Sequence, residues 1–106
     1  MPSVFVRAAA RQDLVDHFIY LAEEADIVLA DKYLANAEVT FAELAERPPI
    51  GSPLKLRHPD LKGMRKWRVN DFDNFLIFYL PRPDGISGVR VLHSASDWWN
   101  LLGLHT

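Results

Sequence analysis

Arg65, Arg68, Tyr79, Arg82, Arg90 and His93 form a cationic and aromatic set in the second half of this 106-residue chain. They fall on segments that read as neighbouring strands and can share a sheet face. Metal-free cleavage of RNA needs a base to take the 2′-hydroxyl proton, an acid for the leaving oxygen, and cations on the phosphate. His93 with Arg65 and Arg90 can supply those groups. The same arginines can equally be structural or contact a partner protein, the commoner use of such residues in small domains. Other chemistry is thin. His17, His58, His93 and His105 lack the spacing of a metal site and the chain has no cysteine, so neither a metal nor another cofactor is expected. Ser94 and Ser96 stand close to His93, but side chains on successive residues at a strand end diverge, so a serine triad is not supported. No glycine-rich phosphate loop follows a strand.

Charge divides the chain. The net value of −2 argues against a general nucleic-acid binder, and no sequence-specific nucleic-acid contact is expected. Residues 1–54 hold nine acids against four Lys and Arg, whereas residues 55–106 hold eight Lys and Arg against five acids. Lys55, Arg57, Lys62, Arg65, Lys66 and Arg68 crowd one window opposed only by Asp60. Such a cluster can attract an acidic protein segment or a phosphate backbone. It can also be a solvated strand edge kept from aggregating by charge.

These residues need elements to position them. Val4, Phe5 and Val6 make a short first strand. From Gln12 to Ala25, Leu14, Phe18, Leu21 and Ala25 recur at helical spacing, with Val15, Ile19 and Ala22 broadening the face. Asp26 can cap a second helix whose stripe is Ile27, Ala30, Leu34, Ala37, Phe41 and Leu44. So short a connection predicts an antiparallel hairpin, closely packed where Ala30 and Ala37 fall. Pro48-Pro49 ends it, since proline lacks an amide hydrogen and disfavours helix in the residue before it.

Residues 50–63 read as an ordered connecting loop. Three strands follow, at 64–69, 75–80 and 89–93, with turns at 70–74 and 81–85. The middle one is uninterrupted and apolar, as a strand covered on both faces must be. Ser94 or Ser96 can cap a last short helix through Asp97, Trp98, Trp99, Leu101 and Leu102. Adjacent tryptophans on a helix lie about 100° apart, so at least one of Trp98 and Trp99 is expected at the surface. The reading is one α+β domain over residues 1–106, a helical hairpin layered on a three-stranded antiparallel sheet. Phe5, Leu14, Phe18, Leu21, Leu34, Phe41, Leu76, Phe78 and Val91 are its expected core. No run approaches the roughly 20 apolar residues of a membrane helix and no export leader is evident, so a cytoplasmic protein without membrane contact is expected.

Several fragments, in order, resemble the ParE branch of the RelE/ParE toxin superfamily. They are Ala9 to Leu14, Phe41-Ala42-Glu43-Leu44-Ala45-Glu46-Arg47-Pro48, Leu61-Lys62-Gly63-Met64-Arg65-Lys66-Trp67, Phe72-Asp73-Asn74-Phe75-Leu76-Ile77-Phe78-Tyr79, and Arg90-Val91-Leu92-His93 ahead of Asp97. The resemblance implies a toxin of a type II toxin–antitoxin pair, held in a hetero-oligomer by a cognate antitoxin. ParE members poison DNA gyrase, whereas RelE members cut messenger RNA on the ribosome. No arginine or tyrosine follows Arg90 here, unlike the RelE-type nucleases. Ser96 departs from the arginine that many ParE members carry ahead of the aspartate. A non-enzymatic gyrase poison is therefore the expectation, with Arg65, Arg68, Arg90, Trp98, Trp99, Leu101 and Leu102 contacting antitoxin or target. The alternative is a ribosome-dependent messenger-RNA endonuclease using Arg65, Arg90 and His93.

Overall fold

The computed structural model describes residues 2–55 and 59–102. Arg57, His58 and His105 lie outside the described residues. Strand β1 (Ser3–Val6) leads into helix α1 (Ala8–Glu24), which turns back through α2 (Ile27–Glu46). A 3-10 turn at Pro48–Ile50, the two-residue strand β2 (Ser52–Pro53) and a second 3-10 turn at Pro59–Leu61 follow. The chain then forms β3 (Arg65–Val69), β4 (Phe72–Arg82), β5 (Gly85–His93) and the short helix α3 (Trp98–Leu101).

The expected antiparallel strands form β5-β4-β3, and β1 and β2 extend them into a five-stranded mixed sheet. Its order is β1-β5-β4-β3-β2, with β1 parallel to β5 and every other pair antiparallel. β4 is thus central, and its alternate side chains enter two separate cores. Phe75, Ile77 and Tyr79 join α1 and α2 in the main core, while Phe78 and Leu80 join Leu61, Met64, Val89 and Leu92 on the other face. Where β1 meets β5, a side chain on Gly85 would overlap the Ser3 carbonyl, so the parallel pairing needs glycine there.

The helices follow their apolar spacing with one shift. Asp26 caps α2 as expected, its carboxylate accepting from the Leu29 amide at 2.7 Å. The α2 stripe is rotated toward Tyr33 and Thr40, both fully buried, leaving Leu34 half-buried and Ile27 exposed. Each buried hydroxyl is satisfied. Thr40 Oγ1 donates to the Asn36 carbonyl at 2.7 Å and accepts from the Asn70 amide at 3.0 Å, tying α2 to the β3–β4 turn. Tyr33 Oη lies 2.6 Å from His17 Nδ1. A polar tip hid both residues from an apolar count.

Leu21, Phe41, Phe78 and Val91 are buried as expected, and Leu14, Phe18, Leu34 and Leu76 pack half-buried against the two cores. Phe5 is a correction, being 66% exposed. Strand alternation gives Val6 to the main core and turns Phe5 to the opposite face, level with Ser87.

His17 sits among Tyr33, Phe75, Asp13 and His93, and burial lowers its pKa from 6.5 against the pull of Asp13 and Asp16. The unfolded chain therefore takes up a proton near pH 6.5 that the folded chain resists. Stability from this group is fully present above that pH and is lost as pH falls through the lower folded value. Thermal melts should show a decline between pH 7.5 and 5.5 that His17→Gln flattens; an equal decline in the variant would place the effect elsewhere.

Candidate functional site

The cations singled out from sequence separate into two kinds. Arg65 pairs with Tyr79 in the β3–β4 register and so lies on the helix side of the sheet. Its Nη1 donates to the carbonyls of Pro49 and Gly51 at 3.0 and 2.6 Å. Tyr79 Oη completes the clasp, donating to the Pro48 carbonyl at 2.6 Å and accepting from the Gly51 amide at 2.9 Å. Burial raises the Tyr79 pKa, opposed by the Gly51 amide and Arg65, so the hydroxyl stays protonated as that donation requires. Together these two side chains hold the segment that leaves α2, where the diproline has removed amide donors.

Arg90 is the second such residue. Nε and Nη2 donate to the two carboxylate oxygens of Asp13 at 2.7 and 2.8 Å, a bidentate pair with both partners largely buried. The Asp13 hydrogen bond raises the Arg90 pKa further, against the effect of burial. Asp13 Oδ2 also accepts from the Val91 amide at 2.9 Å. β1 covers β5 only over residues 85–88, so this carboxylate continues the edge where the strand has ended. Asp13 escaped the sequence reading because its partners are 77 and 78 positions away and nothing local marks them.

Lys66 and Arg68 pair with Phe78 and Leu76, which places them on the face away from the helices. Lys66 Nζ stands 5.5 Å from the Trp98 ring centroid, and Arg68 lies over Trp67 with a 3.4 Å contact to exposed Asp73. Trp98 is half-buried on Phe78, and Trp99 stacks on it at 4.0 Å with 48% of its surface exposed. Leu101 is 46% exposed, whereas Leu102 packs against the second core. An apolar and aromatic platform rimmed by Lys66 therefore stands on the outer face, with Trp99 and Leu101 exposed.

Of the groups considered for RNA cleavage, Arg65 stands apart, while Arg90 and His93 both lie close enough to His17 to act on its charge. Arg65 and Arg90 lie on opposite faces, with their donors directed to protein acceptors. His93 is exposed with its Nδ1 accepting from the Ala95 amide at 3.0 Å and its ring edge-on to Phe75. Arg82 is exposed at the far end of β4. Among the described residues no three His, Asp or Glu side chains gather as metal ligands, and no helix is long and apolar enough to cross a membrane.

This division has a measurable consequence. Arg65→Ala should cost about 1.5–3 kcal/mol, since it removes charged hydrogen bonds to backbone carbonyls. Arg68→Ala should change stability by less than about 0.5 kcal/mol, as exposed pairs do. Denaturant titration of both variants checks the contrast, and equal losses would contradict it.

Comparison with known proteins agrees with this geometry. Residues 4–98 match the model of the family described as ParE toxin of type II toxin-antitoxin system, parDE. None of the curated proteins matches the chain. A solved chain of the chromosomal ParDE TA system from P. aeruginosa is similar in fold, with a TM-score of 0.70 at 16% identity over 88% of this chain and 96% of that one. With the family model spanning nearly the whole chain, from within β1 to the first residue of α3, the protein belongs to the ParE toxin family of type II toxin–antitoxin systems.

Proposed function

We propose that this toxin acts in the cytoplasm by binding, not by catalysis, and that it arrests growth by engaging DNA gyrase and stalling it on cut DNA. One observation carries the reading: the exposed Trp99 and Leu101 platform with Lys66 at its rim, on a sheet face where, among the described residues, no acid–base pair stands beside a free phosphate-binding arginine. Aromatic side chains with an adjacent cation suit a protein interface, where large apolar area and an N–H both find partners. The messenger-RNA endonuclease reading has less support because Arg65 lies on the opposite sheet face from Arg90 and both guanidinium groups donate to protein acceptors.

A cognate antitoxin neutralises the toxin, in a hetero-oligomer. A groove of about 420 Å³ between α1 and α2, lined by Val6, Leu14, Leu34 and Phe41 and edged by Arg11 and Glu38, supports a docked amphipathic segment. The exposed Val15, Ile19 and Val28 add apolar area on the same hairpin.

Growth on induction tests the platform. The intact chain should arrest growth, and deletion of residues 98–106 should abolish the arrest while leaving a cooperatively melting protein. A folded truncation that still arrests growth would remove the tail from the mechanism.

A further inference from the structure

Helix α3 has four residues, too few to hold helical geometry by itself, because nucleation costs more than so few internal hydrogen bonds return. Its position is therefore set by what the fold offers it. Trp98 rests on Phe78 with ring centroids 5.5 Å apart, and Leu102 joins the second core. These contacts are apolar and fix no rotation about the strand face. A directional contact comes from Arg90, whose Nη1 donates to the Leu101 carbonyl at 2.8 Å.

Nε and Nη2 of the same guanidinium donate to Asp13. The carboxylate is itself anchored by the Val91 amide, and it sits on α1, the helix packed across the opposite side of the sheet. A bulge at Phe78/Tyr79, where β5 has one extra residue, re-aims the strand at this point. We infer that Asp13 and Arg90 are positioning residues for the C-terminal tryptophan platform: α1 holds the guanidinium plane, and that plane sets where α3 presents Trp99. A planar fork with fixed donor directions can do this, and a lysine ammonium cannot reproduce it.

The stacked indoles provide a readout distinct from stability. Two rings 4.0 Å apart couple as an exciton pair in circular dichroism, and Trp99→Phe, which leaves one indole of that pair, assigns the signal. Arg90→Lys keeps the charge beside Asp13 and removes the arm to Leu101. Asp13→Asn keeps an acceptor for the Val91 amide and sets an amide group against the guanidinium. Each variant should lose most of the couplet while still melting in one cooperative transition, at a midpoint lowered by the loss of a largely buried ion pair. A couplet of parental strength in either folded variant overturns the assignment. So does loss of cooperative melting in both, because the clamp would then hold the sheet and not the platform.

The inhibitory consequence rests on the gyrase reading above. There, potency should fall roughly tenfold, the loss of one charge-assisted hydrogen bond. A parent chain that leaves gyrase untouched while the variants lose the couplet would contradict that reading and leave the positioning role standing.

Discussion

Everything in this fold follows from a central strand that is apolar on both faces. Phe75, Ile77 and Tyr79 of β4 point one way, Phe78 and Leu80 the other, and burial of each large side chain is worth about 1.5–3 kcal/mol. A helical hairpin can cover one side of a sheet. Among the described residues the opposite side has no second helix layer, so the loop around Leu61 and Met64 and the tail from Trp98 to Leu102 cover it in pieces. That requirement places the C-terminal segment. What the tail does not spend on covering Phe78 and Leu92 is left at the surface as Trp99 and Leu101.

The same constraint sorts the positive charges. Arg65 and Arg90 stand at seams of the structure, where α2 has ended in prolines and where β1 has stopped short of the end of β5, and both answer backbone groups or a carboxylate left without a sheet partner. Lys66 and Arg68 stand on the outer face with aromatic rings beside them. Two adjacent strand residues, Arg65 and Lys66, thereby take unlike roles because strand alternation sends them to different sides. The cations left beside aromatic rings are accordingly fewer than a count of basic residues suggests.

Local patterns were legible from the amino-acid order. The helical hairpin, the Asp26 cap, the diproline stop and the doubly covered strand each have a signature within a few residues. So did the surface tryptophan, since neighbours on a helix cannot both turn inward. Long-range pairings had no such signature. The parallel contact of β1 with β5 joins residues about eighty positions apart, and it exposed Phe5 against expectation. Asp13 had no reading of its own, and Arg65 read as a cation for a partner or a phosphate, because an ion pair across the fold and a bond to a carbonyl leave no periodic trace. Tyr33 and Thr40 were missed for the converse reason, carrying hydroxyls into the core where His17 and the Asn70 amide receive them.

The central claim is that this ParE-family toxin works by occupying gyrase. Its most direct test is a supercoiling reaction with purified gyrase and the purified full chain, scored for lost supercoiling and for linear DNA released after denaturation. The account predicts inhibition together with accumulation of linear DNA, the mark of an enzyme held on cut strands. Undiminished supercoiling and no linear product, with chain shown to be folded, would contradict it.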